Sequence, residues 1–223
     1  MYRIRPNPFS QGYSWLTERL YNELAWLYDP ASWIASLGQA ATVRNWALDY
    51  LTGPRVLELG FGTGKLLLEI ARRNLDVYGL DLSPAMQRLA QSKLRRHGFS
   101  LPLVRGSTLH TPFADRSFNT IVATFPAGYI FDPATWQEAA RLLRLPPTAS
   151  KEFGGGRFVV VGLCASSTAK PGLPLIRFLF GLPMEDLLLY CKVRARSAGL
   201  DVRVVTRRHR MLDIPIIIAE KQA

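Results

Sequence analysis

Cysteine is nearly missing from this chain: its 223 residues hold two, Cys164 and Cys191. They sit in separate segments and match no metal or redox spacing, which excludes a disulfide framework and points to a reduced, cytoplasmic setting. Histidine is scarce as well, at three, and no His or carboxylate cluster has ligand spacing, so no metal is expected. Long apolar runs are absent. The longest near the end, Leu173 to Leu182, is broken by Pro174, Arg177 and Gly181, and falls well short of the ~20 residues that cross a bilayer. The opening Met1-Tyr-Arg-Ile-Arg-Pro lacks the apolar stretch of a secretory leader. Acids are in deficit: 17 Asp+Glu stand against 28 Lys+Arg, giving +11 and a pI near 10.1. Such a balance asks for an anionic partner or reflects a solvated basic surface. The rest is ordinary. A chain of 25.0 kDa, 48% apolar and 20% charged, is globular, not disordered or fibrous, and long enough to bury a core without staples.

One domain is expected over residues 1–223. Residues 1–52 read as helices. Leu16, Leu20, Leu24 and Leu27/Tyr28 recur at helical spacing behind Ser14, and Asp29-Pro30 separates them from a second helix carrying Trp33, Ile34, Leu37, Trp46 and Tyr50. From residue 53 to 163 strands and helices alternate. Strands are expected at 56–59, 76–80, 101–105, 118–124 and 157–163. Helices are expected at 63–73, from Ser83-Pro84 to Gly98, and from Asp132-Pro133 to Pro146. Residues 164–183 form an insert. Residues 184–223 hold a last helix, 184–198, and two strands, 200–206 and 212–219, joined by a short turn. Strand–helix alternation of this kind makes a parallel sheet with helices on both faces. The closing pair has no helix between its members and forms an antiparallel hairpin at one end of the sheet.

The main chemical signal is Glu58-Leu-Gly60-Phe61-Gly62-Thr-Gly64-Lys65, between a strand and a helix. A phosphate loop would need glycine where Leu59 stands and Ser or Thr where Leu66 stands. A dinucleotide fingerprint would need its third glycine at Lys65. What remains is Gly-x-Gly-x-Gly behind an acid. A second signal is Val77-Tyr-Gly-Leu-Asp81-Leu82-Ser-Pro84, with Met86 beyond it. A carboxylate at the end of a second strand can accept both hydroxyls of a ribose. A third is Arg105-Gly106-Ser107-Thr108-Leu109, followed by Pro112-Phe113-Ala-Asp115-Arg-Ser117-Phe118.

Together these segments resemble the class I S-adenosylmethionine-dependent methyltransferases. The resemblance covers about residues 55–163 and implies an α/β, Rossmann-like three-layer sandwich. Its seven-stranded, mostly parallel sheet would carry an antiparallel C-terminal hairpin strand. It implies S-adenosyl-L-methionine as cofactor, bound by Glu58, Gly60, Phe61, Gly62, Gly64, Asp81, Leu82, Met86, Gly106, Ser107, Thr108 and Thr124. Side chains at the three glycines would fill the space of the amino-acid and ribose parts. Ser107 replaces the acid that meets the adenine amino group in the family, and a neutral hydroxyl bonds more weakly. Residues 53–163 would be the cofactor-binding core, 1–52 a cover bringing Tyr21 and Tyr28 to the cofactor as further binding residues, and 164–183 the acceptor-side insert. An apolar acceptor site is expected between the two covers.

Methyl transfer from a sulfonium is an in-line displacement, so the protein chiefly orients and excludes water. The loop after the fourth strand, Thr124-Phe125-Pro126-Ala-Gly-Tyr129-Ile-Phe131-Asp132, lacks the Asn/Asp-Pro-Pro-Tyr/Phe tetrad common where nucleobase or glutamine amino groups are methylated. Phe125, Tyr129 and Phe131 stand as acceptor walls or as packing. Tyr129 and His110 are the weak catalytic candidates. The layout resembles the quinone and phospholipid-amine branch, which implies a small-molecule or lipid-like acceptor. Two alternatives stay open: an RNA or protein methyltransferase, and a non-catalytic cofactor-binding subunit. The charge is local. Lys192 to Arg210 holds seven basic residues and one acid, Asp201. That run leaves open peripheral contact with an anionic membrane, with nucleic acid the weaker reading and a solvated face the plain one. Oligomeric state is not legible.

Overall fold

The computed structural model describes residues 40–145, 155–163, 166–167, 184–210 and 212–222. The first expected helix, Tyr21, Tyr28, Cys164 and the cover segment 168–183 lie outside them.

The described residues hold eight strands: β1 (Arg55–Leu59), β2 (Asp76–Asp81), β3 (Leu103–Arg105), β4 (Thr120–Thr124), β5 (Arg157–Val161), β6 (Ser166–Ser167), β7 (Leu200–His209) and β8 (Leu212–Lys221). The helices are α1 (Ala40–Asn45), α2 (Lys65–Ala71), α3 (Pro84–Arg96), α4 (Pro133–Leu142) and α5 (Met184–Ser197), with 3-10 turns at Trp46–Tyr50 and Gly128–Phe131. The sheet runs β3-β2-β1-β4-β5-β8, and β7 lies on the far side of β8. β1 to β5 are mutually parallel. β8 runs antiparallel to β5 and to β7, so β7 points with the first five. These seven strands are the expected sheet. The two-residue β6, paired with the start of β8, is too short to leave a periodic trace.

The strands read as continuous apolar runs because both faces are covered. On one face Leu57, Leu59, Ile121 and Val160 pack with Trp136 and Leu142 of α4 and with Leu187, Cys191 and Ala195 of α5. On the other, Val56, Val122, Val159 and Val161 meet Val43 of α1, Leu66, Leu67 and Ile70 of α2, and Ala90 and Leu94 of α3. This is the expected three-layer sandwich.

Caps set the helix starts that were legible in sequence. Ser83 accepts the Met86 N–H at 3.2 Å, with Pro84 in the first turn of α3. Asp132 accepts the Ala134 N–H at 2.8 Å ahead of Pro133. Some bounds differ. β4 starts at Thr120 because Phe118 bridges to Leu143 and sets its ring against Tyr78 and Phe113. α4 stops at Leu142, where Leu143 turns extended, ahead of Pro146. The helix expected through Tyr50 tightens to a 3-10 turn at Trp46, and buries Val43, Ala47 and Leu48 while Trp46 and Tyr50 stay half-buried.

Strand order reverses between β1 and β4, the neighbours whose connections leave in opposite directions. A crevice opens there beyond the carboxyl ends of the parallel strands. Leu59, Asp81, Arg105 and Thr124 end their strands at that edge.

Candidate functional site

The glycine turn leaves β1 at this crevice. The Gly60 N–H donates to the Leu80 carbonyl at 2.7 Å, and the Gly64 N–H to the Phe61 carbonyl at 2.9 Å. Gly60, Gly62 and Gly64 have φ of +68°, +53° and +72°, a region that side chains disfavour. Beyond this, their surroundings differ. A Cβ on Gly62 would meet nothing within 4 Å, so this residue faces open space. A Cβ on Gly60 would stand 2.8 Å from the Tyr129 hydroxyl, and one on Gly64 2.8 Å from Ala90 Cβ on α3. Gly62 thus borders open space, while Gly60 makes way for Tyr129 and Gly64 for helix packing. The Phe61 ring is buried beside Gly79, so Phe61 offers the turn its backbone.

Two carboxylates flank the turn. Glu58, 2% exposed, holds Oε2 buried without a hydrogen-bond partner. Burial pushes its carboxyl well above the usual carboxylate range; the Arg44 charge opposes this and Asp81 adds to it. Asp81 accepts the Gly62 N–H on Oδ2 and the Ser83 N–H on Oδ1, both at 2.8 Å. It thereby ties the end of β2 to the turn. Burial raises its carboxyl too, against the pull of those backbone donors. Leu82, next in chain, is 68% exposed at the same edge. Met86 is wholly buried with Ala85 and Leu89 and serves the core.

The loop after β3 closes the third side. The Gly106 N–H donates to the Asp81 carbonyl at 3.0 Å. Ser107 and His110 bridge across a tight turn, and Ser107 Oγ accepts the Leu109 N–H at 3.2 Å. Thr108 is buried, its hydroxyl 3.4 Å from that of Thr135. His110 is exposed. Thr124 ends β4 half-buried. Phe125 then adopts φ +49°, a conformation seldom held by a bulky residue. Its N–H donates to the Val161 carbonyl at 2.8 Å, and its ring fills the space a side chain on Gly162 would need. The Tyr129 hydroxyl donates to the Leu59 carbonyl at 3.0 Å, so it is committed to the turn and not poised as a base. Phe131 sets its ring edge-on to Tyr190 at 6.0 Å.

Sequence reasoning missed three participants. Arg44 on α1 acts on Glu58 by charge. Glu138 and Arg141 on α4 bind Thr111 and Asp115 below the β3 loop. The i,i+3 spacing of Glu138 and Arg141 was visible, but their loop partners were not. The basic run is also less exposed as charge than its count suggests. Arg207 meets Asp49 at 2.6 Å, Arg208 meets Asp213 at 2.8 Å, and Arg203 lies 4.0 Å from Glu220. Arg207 also lies over the rings of Trp46 and Tyr50. Among the described residues no helix is long and apolar enough to cross a membrane, and no group of three His, Cys, Asp or Glu could hold a metal ion.

The S-adenosylmethionine implied by the sequence offers donors where the crevice offers acceptors. Its ammonium suits the empty Glu58 Oε2, and its ribose hydroxyls suit lone pairs remaining on Asp81. Gly62 leaves room, and Leu82 gives a ring an apolar neighbour. These residues could hold the group.

Comparison with known proteins gives the same picture. Residues 56–145 match a family model described as a methyltransferase domain. A demethylmenaquinone methyltransferase of Thermobifida fusca is 33% identical over 177 residues, 74% of this chain and 68% of that protein. One from Tropheryma whipplei is 32% identical over 111 residues, and there the match spans 45% of the relative's length, about half. Among solved structures, geranyl diphosphate C-methyltransferase from Streptomyces coelicolor has a TM-score of 0.60 at 16% identity, covering 81% of this chain and 79% of its own. The cyclase SpnF has a TM-score of 0.60 at 16% identity, covering 83% and 80%. At such identities these two likenesses concern the fold.

Proposed function

As the chain belongs to the class I S-adenosylmethionine-dependent methyltransferases, we propose that it transfers a methyl group to a small-molecule or lipid-like acceptor, a reduced quinone ring foremost. The observation that carries this is the crevice of open Gly62, Glu58 with an oxygen short of a donor, and turn-tied Asp81. The acceptor class rests on the demethylmenaquinone methyltransferases among the relatives and is in keeping with the geranyl diphosphate and phosphomonomethylethanolamine named for the fold neighbours.

When bound, S-adenosylmethionine supplies a methyl group already activated on a sulfonium. Glu58 takes the ammonium and Asp81 the ribose hydroxyls. Leu82 and Thr108 border the adenine, while Ser107, engaged by Leu109, adds little. Phe125, held rigidly at the end of β4, limits the acceptor side and helps exclude water. Tyr129 is committed to Leu59, so no described tyrosine at this edge is free to take a proton. An acceptor whose own electron-rich ring supplies the nucleophile, as a hydroquinone's does, suits such a site best.

Calorimetry with S-adenosylmethionine and with NAD tests the cofactor. We expect binding of the first alone, and loss of it by about tenfold or more in Asp81→Ala, the worth of a charged hydrogen-bond partner. Absence of binding overturns the reading. Methyl transfer to a reduced prenylated naphthoquinone, with RNA and protein as competing acceptors, tests the acceptor class. Binding without turnover on any acceptor would favour the non-catalytic subunit. A peripheral contact with anionic membrane finds support in Leu189 and Val193, 60% and 52% exposed beside Lys192 and Arg196. Co-sedimentation with anionic vesicles at low and high salt tests it, and salt-independent absence of binding overturns it.

A further inference from the structure

We propose that Tyr129 is a positioning residue that braces the glycine turn and makes the cofactor crevice and the acceptor-facing loop one mechanical unit. This rests on the methyltransferase reading above. Tyr129 sits on the 3-10 turn after β4, seventy residues from the β1 end that it touches. Its hydroxyl donates to the Leu59 carbonyl at 3.0 Å, at the point where β1 gives way to the turn. The same hydroxyl and ring edge lie 2.8, 3.3 and 3.4 Å from where a Cβ on Gly60 would be. The turn therefore rests on the tyrosine, which together with the φ of +68° requires glycine at position 60.

The brace continues beyond the tyrosine. The Tyr129 carbonyl accepts the Thr135 hydroxyl at 2.8 Å, and Thr135 Oγ1 lies 3.4 Å from Thr108 Oγ1. Leu59, Tyr129, Thr135 and Thr108 thus join the loops after β1, β4 and β3 in one chain of polar contacts. The β4 loop is fixed at its start as well, by the Phe125 N–H on Val161 and the ring against Gly162. A loop clamped at both ends transmits a displacement of the acceptor side to Leu59 and Gly60.

The decisive experiment is a double-mutant cycle read by calorimetry with S-adenosylmethionine, with kcat and KM alongside. Tyr129→Phe keeps the ring and removes the hydroxyl, and we expect binding to weaken about 3- to 10-fold, the worth of one hydrogen bond. Gly60→Ala should weaken it further, since a Cβ meets both the hydroxyl and a positive φ. In the double variant the closest atom becomes a ring carbon at 3.3 Å, so the second substitution should partly rescue the first. Thr135→Val cuts the next link and should weaken binding in the same direction, by less, even if Tyr129→Phe folds poorly. Additive losses, or unchanged binding in Tyr129→Phe, overturn the proposal. So does a fall in kcat with binding intact, the mark of a catalytic base. If the wild-type chain itself binds no S-adenosylmethionine, it is the functional reading that fails, and the cycle is not reached.

Discussion

Glu58 and Glu138 are two glutamates at nearly the same depth, 2% and 7% exposed, and they end at opposite extremes. Around Glu138 the chain supplies every donor. Oε1 accepts the Thr111 N–H, the Thr111 hydroxyl and Arg141 Nη2, each at 2.7 Å, and Oε2 accepts Arg141 Nε at 2.8 Å. Burial by itself would raise this carboxyl, but the bonds from Arg141 and Thr111 overcome it and bring it down to about 2. Around Glu58 burial wins, and Oε2 is left without a partner. The residue type is shared, so the number of donors makes the difference. A carboxylate saturated by its own chain holds the chain together. One left short, beside the open space at Gly62, is shaped for a donor that comes from outside.

The strongest way to break this contrast is to remove Glu138. Glu138→Leu leaves Arg141 half-buried and the Thr111 N–H without its acceptor, and should cost about 3 kcal/mol in urea unfolding. Affinity for S-adenosylmethionine should change little. Glu58→Gln should do the reverse. A neutral amide relieves the cost of a buried carboxyl, so stability should hold or rise. Affinity should fall about 10- to 30-fold, as one charged hydrogen bond is lost. If the two variants shift stability alike, Glu58 is a structural residue and the contrast is wrong.

The sequence made one of these glutamates visible and concealed the other. Glu58 stood in a motif because a binding turn is local: strand, acid, glycines and helix follow one another within a dozen residues. The sheet was legible for the same reason, since strand–helix alternation is a local rhythm. Glu138 was illegible because its donors from Thr111, like the Asp115 that anchors its partner Arg141, are brought near by the fold alone. The same holds for Tyr129. Its aromatic ring drew notice as a wall or a catalyst, yet its contact with Leu59 spans seventy residues and carries no sequence signature. Equally, the basic run was read as a patch because Asp49 and Glu220, which meet Arg207 and Arg203, are out of its window. Sequence named the groups that wait for a ligand better than it named the groups that satisfy one another.

The pH dependence of stability sharpens the contrast from both sides, with a smaller effect. Glu138 is held below its ordinary 4.5. Its contribution is therefore complete above 4.5 and is lost as pH falls from there to about 2. Glu58 is held above 4.5. Its favourable contribution is complete below 4.5 and is lost as pH rises through its folded value. In urea titrations, Glu138→Gln should flatten the acid limb and Glu58→Gln the limb above 4.5. Asp81, also raised by burial, keeps part of the second slope in place. A Glu58→Gln variant whose slope matches the wild type above pH 4.5 would show that Glu58 does not titrate there.

The finest distinction lies between the two arginines. Arg141 touches Glu138 with two hydrogen bonds, whereas Arg44 pulls Glu58 down by charge. The hydrogen bonds from Arg141 hold Glu138 ionised, while the Arg44 charge tempers a rise that burial drives at Glu58. Arg44→Met should let Glu58 drift still higher, weakening its hold on the cofactor's ammonium about two- to threefold. Raising the pH favours the ionised carboxylate, so calorimetry at two pH values should find the gap to wild type narrower at the higher one. Arg141→Met should destabilise the fold by a few kcal/mol, since it strips a buried carboxylate of the two hydrogen bonds from Arg141. An affinity gap for Arg44→Met that is the same at both pH values would mean that Arg44 meets the cofactor directly, not through Glu58.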